Sequence, residues 1–208
     1  MAEITAQLVK ELRERTGAGM MECKSALKEA NGVVAEAEVV LRKKGIASAS
    51  KKSSRVTKQG LVATYIHHGG QLGVLIEVNC ESDFVARTDD FQELVHDLAM
   101  HIAAADPQFI RKEDVSEAAL AKEKDIQKAR AMNEGKPEKV AEKIVEGRMA
   151  KFYEEVCLYE QPFVKENTVS IDQLIKTKIA KLGENISVAR FARFKVGETA
   201  AAETTAAE

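Results

Sequence analysis

Apolar residues recur at helical spacing through the first 44 positions, in three runs separated by short glycine-containing breaks. The breaks lie at 16–19 and 31–32, and Gly45 closes the third run, as glycine commonly does at a helix end. The side chains expected to face inward are Ile4, Leu8, Val9, Leu12, Cys23, Ala26, Leu27, Val33, Ala37, Val40 and Leu41. The pattern predicts a three-helix module over residues 1–45. A bundle this small is typical of a docking module and not of a catalytic scaffold.

Residues 46–59 lack a large apolar stripe and predict a basic linker that is partly helical. Between 42 and 58 there is no acidic residue, and the basic residues are Arg42, Lys43, Lys44, Lys51, Lys52, Arg55 and Lys58. Such a run is compatible with a surface that faces RNA. A solvated linker is the more common meaning, and both interpretations stay open.

A β-hairpin is predicted next, from segments 61–68 and 71–80 with Gly69-Gly70 as a tight turn. The second segment alternates onto one face the residues Val74, Ile76, Val78 and Cys80. Residues 88–105 return to helical spacing, and Pro107 prevents the helix from continuing. Its inward side chains are expected to be Phe91, Leu94, Val95, Leu98, Ala99 and Ile102.

Two charged helical stretches in 116–156 flank a turn at 133–137 that contains Gly135 and Pro137. A thin apolar seam between them predicts an antiparallel hairpin arm. The seam is expected to consist of Leu120, Ile126, Ala129 and Met132 on one stretch, and Val140, Ile144, Met149, Phe152 and Val156 on the other.

Residues 171–182 predict a further helix, and residues 187–196 predict the third strand of the sheet. The fold class is therefore α+β: an amino-terminal three-helix module, and a core over 60–198 in which a small antiparallel sheet packs with helices. The Ala/Thr/Glu-rich tail at 199–208 is predicted to be disordered.

Composition narrows the function classes. The 208 residues have a net charge of −2, which does not favour a polyanion-binding surface overall. Aromatic residues make up 5% and Trp is absent, which argues against base stacking on nucleic acid.

No run of about 18 apolar residues and no leader sequence is found, so neither a membrane span nor a signal peptide is expected. Reduced thiols of a cytoplasmic protein are the simplest account of three widely spaced cysteines, Cys23, Cys80 and Cys157.

A search for catalytic chemistry finds no constellation of residues. Gly17-Ala18-Gly19 follows a helix and not a strand, and no phosphate-loop motif exists. His67 and His68 point to opposite faces of a strand, while His96 and His101 lie on different sides of a helix. We therefore expect no metal, no cofactor and no enzymatic activity, and the sequence favours a binding protein.

Two features suit partner binding. Asp83-Phe84 lies where the apolar strand pattern ends, and a large aromatic residue there is either a probe for another molecule or part of its own core. Met20 and Met21 are adjacent after a Gly-rich turn, so one helix cannot bury both equally. An exposed methionine suits a groove on a partner.

Two segments resemble the elongation factor Ts family, and the resemblance covers about residues 3–197. The first is 12–24, LRERTGAGMMECK, followed by Ala26-Leu27, and the second is 77–86, EVNCESDFVA. Supporting matches are NEGKP at 133–137, IVEGR at 144–148 and QPFV at 161–164. The family usually has Thr where this chain has Ser82, so the hydroxyl is kept and a methyl group is lost. The chain resembles the short type, which has one core copy.

The resemblance implies that the protein promotes GDP release from elongation factor Tu, without making or breaking a bond. It implies a probe that enters the GTPase near its magnesium and phosphate site, formed by Ser82, Asp83, Phe84 and Val85, with His101 as a further contact. It also implies that the amino-terminal module is of the ubiquitin-associated type and grips the GTPase through Lys10, Arg13, Met20 and Met21.

A homodimer could supply the core half that the short type lacks, through the sheet around 187–196, to give a two-plus-two complex. The alternative function is an RNA-binding translation accessory that uses the basic run at 42–58. No membrane and no direct nucleic-acid partner are expected for the exchange factor.

Overall fold

A computed structural model describes residues 4–135 and 137–198. Its helices are α1 (Ala6–Thr16), α2 (Met20–Glu29), α3 (Val34–Lys52), α4 (Asp83–Ala86), α5 (Asp89–Ala105), α6 (Glu117–Asn133), α7 (Glu138–Val156) and α8 (Ile171–Leu182). Its strands are β1 (Gln59–Ile66), β2 (Leu72–Cys80), β3 (Pro162–Phe163), β4 (Glu166–Ser170) and β5 (Ile186–Lys195). This mixture of helices with a small antiparallel sheet confirms the α+β class. The tail at 199–208 lies outside the described residues.

The first three helices pack around most of the apolar positions that the sequence indicates, but the predicted inward placement of Val33 is wrong, because its side chain is 47% exposed. Their buried core consists of Val9, Leu12, Cys23, Ala26, Leu27, Ala30 and Ala37. The Thr5 hydroxyl caps α1 by accepting a hydrogen bond from the Leu8 amide, at 3.3 Å. The predicted end of the third helix at Gly45 is wrong, because α3 continues to Lys52.

The three-stranded sheet has the order β1-β2-β5, so the strand predicted as the third one pairs beside β2. The predicted inner face of β2 is confirmed, since all four of its alternating side chains are buried, namely Val74, Ile76, Val78 and Cys80. The hairpin turn is wider than the two residues predicted. His67 donates its amide to Leu72, and both Gly69 and Gly70 take positive φ within the loop.

Helix α5 buries all six residues predicted to face inward, from Phe91 to Ile102. The helical hairpin is formed by α6 and α7, which contact each other. Its seam differs from the prediction, because Ile126, Met132 and Val140 are exposed. Met149 is buried as predicted, and the other buried positions, which were not predicted, are Gln127, Ala131 and Ala141.

One short element was not predicted. Strands β3 and β4 form a separate two-stranded hairpin over the Gln161-Pro162-Phe163-Val164 motif, in which Phe163 is buried. A two-residue strand such as β3 has too little alternation for a periodicity argument.

The described chain divides into two compact units. The first unit contains the amino-terminal module, α4 and most of α8, and the second contains the helical hairpin and the β3–β4 hairpin. Within the described residues, no helix is both long enough and apolar enough to cross a bilayer.

Candidate partner-binding site

The short helix α4 places the Asp83-Phe84 pair directly after β2. Ser82 is its N-cap, and its hydroxyl accepts a hydrogen bond from the Val85 amide at 3.4 Å. Ala86 turns inward and is buried, whereas the Phe84 side chain is 78% exposed. An aromatic ring this exposed does not belong to its own core, so the core interpretation of Phe84 is wrong.

Asp83 pairs with Arg87 across one turn of α4. The Arg87 guanidinium donates to Asp83 Oδ2 at 2.8 Å, and both side chains are largely in contact with solvent. An exposed pair of this kind contributes about 0.2–1 kcal/mol. The carboxylate is therefore available to a second cation at small cost.

The loop that carries α4 is held by a residue that the sequence analysis did not identify. Glu184 Oε2 accepts hydrogen bonds from the backbone amides of Glu81 and Ser82, at 3.1 and 2.9 Å. Its other oxygen accepts the Ser82 hydroxyl at 2.6 Å. Glu184 is 102 residues from Ser82 in the chain, and the only local signal was a polar residue just after the helix-ending Gly183.

Cys80 lies beneath this loop. Its thiol donates to the Ser82 carbonyl at 3.1 Å. Burial raises the pKa of Cys80, and the nearby Glu184 carboxylate raises it further. The thiol is thus kept protonated and serves as a small buried hydrogen-bond donor, not as a nucleophile.

The proposed docking residues lie on the surface of α1 and α2. Lys10 and Arg13 are exposed and lie three residues apart on α1, which places them on one face. Met20 is 46% exposed and Met21 is 77% exposed, so neither is a core residue. The glycine break at 17–19 brings the start of α2 next to the end of α1.

Helix α8 contacts this module within the same unit. The aliphatic part of Lys181 lies against Gly17, where a Cβ would approach Lys181 Cε to 2.7 Å. The Lys181 ammonium donates to Asp90 Oδ1 at 2.7 Å, and Lys178 donates to the same oxygen at 3.2 Å. These contacts fix α8 between the end of α1 and the start of α5.

His101 belongs to the second unit and is fully buried there. Its Nε2 faces Gln161 Oε1 at 2.9 Å, and its Nδ1 accepts the Val164 amide at 3.4 Å. Burial lowers the pKa of His101. The neutral imidazole with its proton on Nε2 satisfies both contacts, so His101 is an interior support of the β3–β4 hairpin and presents no surface to a partner.

The basic run at 42–58 lies on the end of α3 and the segment after it. Part of its charge is already paired, since Lys44 contacts Glu29, and Arg55 Nη1 lies 3.5 Å from Glu81 Oε1. Among the residues that the structure describes, no group of three or more His, Cys, Asp or Glu side chains is arranged to hold a metal ion.

Known proteins match this chain over nearly its full length. The model of the family described as Elongation factor TS matches residues 2–198. An elongation factor Ts from Solibacter usitatus is 76% identical over 212 residues, which cover 100% of both chains. Those from Koribacter versatilis and Carboxydothermus hydrogenoformans are 67% and 56% identical, each over 94% of this chain, and over 89% and 90% of their own lengths. Matches of this extent and identity show that the chain belongs to the elongation factor Ts family of translation elongation factors.

Proposed function

We propose that this protein acts in the cytoplasm as a nucleotide-exchange factor that binds elongation factor Tu carrying GDP and promotes release of the GDP. The observation that supports this most directly is the exposure of Phe84 on a loop whose backbone is held by Glu184. Exposed aromatic residues on a preorganised support are typical binding anchors, because little conformational entropy remains to be lost on association.

The chemistry of exchange is differential binding. The factor must bind the GTPase without nucleotide more tightly than the GTPase with GDP, and linkage then requires GDP to weaken the factor by the same ratio. Phe84 would supply apolar contact area that fits only the distorted nucleotide site. Asp83 would place negative charge near the magnesium and phosphates, which disfavours bound GDP. No covalent bond forms or breaks in this role.

The second contact surface in this proposal is the amino-terminal module. Arg13 and Lys10 supply charge, and the exposed Met20 and Met21 supply flexible apolar side chains that adapt to a groove. Docking through this module would raise the local concentration of the probe beside the nucleotide site. His101 would contribute indirectly, by fixing the β3–β4 hairpin from inside.

We also propose that two copies associate through the outer face of the sheet to give a two-plus-two complex with the GTPase. Within the second unit the strands of this sheet carry exposed apolar side chains, namely Ile66, Leu75 and Phe194. Phe194 is 69% exposed, and Ile66 is 65% exposed and lies over Gly73 of the neighbouring strand. Exposed large apolar side chains on neighbouring strands are typical of association surfaces.

A chase of labelled GDP from elongation factor Tu, followed by stopped-flow fluorescence, tests the exchange function. We expect substoichiometric protein to accelerate release, and Phe84→Ala to lower the efficiency by about 30- to 700-fold, as for a hot spot of about 2–4 kcal/mol. Met132→Ala removes an exposed apolar side chain from α6 and is the control. If the unmodified protein leaves GDP release unchanged, the exchange function is wrong, and the RNA-binding alternative gains support.

A further inference from the structure

Glu184 connects two turns that are far apart in the chain. It lies between α8 and β5, and its carboxylate accepts three hydrogen bonds from the turn after β2: two backbone amides and the Ser82 hydroxyl, at 2.6–3.1 Å. The amides of Glu81 and Ser82 lie just past the last residue of β2 and before α4. Backbone amides in such a position need an acceptor from elsewhere in the fold.

The connection is reciprocal. Glu81 Oε1 accepts the backbone amide of Asn185 at 2.7 Å, so each carboxylate caps the backbone of the opposite turn. Asn185 is itself buried, and its side-chain amide donates to the carbonyls of Ser53 and Arg55, at 3.3 and 2.8 Å. Hydrogen bonds to ionised acceptors are shorter and stronger than neutral ones. Two turns and the segment after α3 are thereby fixed to one another.

The hydrogen bonds from Glu81 and Ser82 to Glu184 form a clamp that ends directly before Asp83 and Phe84. Ser82 is the N-cap of α4, and its hydroxyl donates a hydrogen bond to Glu184. The same hydroxyl therefore links Glu184 to the start of the helix that presents Asp83 and Phe84. Any rotation of the Ser82 backbone would move the ring of Phe84. Misplacement of a reacting or displacing group by about 1 Å can cost about a hundredfold in rate.

We propose that Glu184 is a positioning residue for nucleotide release: by holding the amides of Glu81 and Ser82 and the Ser82 hydroxyl, it fixes α4 in the orientation in which Phe84 enters the partner. This inference rests on the exchange function proposed above. It assigns to Glu184 an effect on the release step and not on docking, because the docking residues lie on α1 and α2.

The first test compares Glu184→Ala with Glu184→Gln in the labelled-GDP chase. The glutamine amide oxygen can accept both backbone amides while its NH2 donates to Ser82 Oγ, so this variant keeps the geometry without the charge. We expect Glu184→Ala to lower the maximal release rate about ten- to hundredfold while the half-saturating concentration changes less than about threefold. We expect Glu184→Gln to stay close to the parent rate. Glu146→Ala removes an exposed glutamate on α7 and is the control.

A double variant tests whether Glu184 acts through Phe84. If it does, Phe84→Ala combined with Glu184→Ala should release GDP about as slowly as Phe84→Ala alone. The inference is wrong if the double variant shows the product of the two single reductions in release rate. It is also wrong if Glu184→Ala leaves the maximal release rate unchanged, or if Glu184→Ala and Glu184→Gln lower that rate equally.

Amide hydrogen exchange on the free protein gives a readout that is independent of activity. We expect the Ser82 amide to exchange at least about tenfold faster in Glu184→Ala, with the central β2 amides unchanged. If the unmodified protein does not accelerate GDP release, the proposed nucleotide-exchange function is wrong. Faster hydrogen exchange of the Ser82 amide in Glu184→Ala would still support the clamp in that case. Unchanged protection at Ser82 overturns the clamp whatever the activity.

Discussion

Gly45 of α3 lies against Ala180 of α8, so close that a Cβ at position 45 would be 2.9 Å from the Ala180 Cβ. Neither atom can swing away, because each is attached directly to a helix backbone. The glycine therefore sets how closely α3 and α8 pack in the first unit, and it does not end a helix.

This contact makes Gly45→Ala a stability test. Alanine would gain about 1 kcal/mol of helix propensity but force the two helices apart at a cost of about 1–3 kcal/mol. We expect a lower free energy of unfolding in chemical denaturation. Gly147 is the matched helical glycine in α7, with nothing within 4 Å of its Cβ position, and Gly147→Ala should stabilise the protein. Equal gains for both variants would contradict the packing role.

Asp90 provides a pH-dependent contribution to stability. The hydrogen bond from Lys181 lowers the pKa of Asp90, and Lys178 lowers it further. Partial burial acts in the opposite direction but is outweighed, so the pKa of Asp90 stays below its ordinary value of 3.8. The ionised carboxylate therefore stabilises the fold fully above that value, and the contribution disappears as the pH falls through the folded-state pKa. We expect Asp90→Asn to lower the urea midpoint near neutral pH and to match the parent in strong acid. Asp89→Asn removes the exposed neighbouring carboxylate and is the control, which we expect to change the urea midpoint near neutral pH less than Asp90→Asn does.

Asp83→Asn should slow GDP release about tenfold with little loss of affinity, since the negative charge near the partner's metal is lost while the shape is kept. Arg87→Ala breaks the same exposed ion pair but keeps the charge of Asp83, so it is expected to release GDP at least as fast as the parent. The measurement is the maximal release rate over a range of magnesium concentrations. Identical rates for all three proteins would remove Asp83 from the release step.

Arg13→Ala together with Met20→Ala should weaken docking and spare the probe. We expect the half-saturating concentration to rise about tenfold or more, with a maximal release rate that recovers toward the parent value. Lys28→Ala, on the exposed surface of α2, is the control. A maximal rate that stays low at saturation would place these two residues in the release step instead.

The proposed dimer predicts that light scattering of the free protein reports about twice the chain mass of 22.8 kDa at micromolar concentration. Phe194→Glu should shift the protein to the monomer mass, because it places a charge in the apolar face of the sheet. Val56→Glu adds the same charge elsewhere and should leave the mass unchanged. A monomer mass for the parent, with full exchange activity, would refute the dimer and leave the exchange function intact.

Local periodicity determined most of the elements. Leu12, Leu27 and Ala37 mark buried helix faces because side chains three to four residues apart share a face whatever the helix packs against. The alternation from Val74 to Cys80 similarly identifies the inner face of β2 before any partner strand is known. The probe residue Phe84 was also visible in the sequence, as a large aromatic residue placed where the strand pattern stops.

Whether Phe84 faces solvent was decided only in three dimensions, because the core and probe interpretations have the same local pattern. For His101 the outcome is the reverse, because a residue expected to contact the partner is buried. Its ring nitrogens are satisfied by Gln161 and Val164, about 60 residues away in the chain, which the local sequence does not indicate. From the local sequence Gly45 is expected to end a helix, whereas α3 continues through it, and the close approach of Ala180 explains why the position has no side chain.

The sequence by itself thus determined the module, the sheet and the identity of the exposed candidates, since these depend on side chains within one turn or one strand. Tertiary structure decided how the site is held. Glu184 and Ser82 are 102 residues apart, and a hydrogen bond between such positions has no periodic signature along the chain. The acceptor is Glu184, because this residue lies where α8 ends and β5 begins. The position of that junction depends on the packing of α8 against α3 and α5.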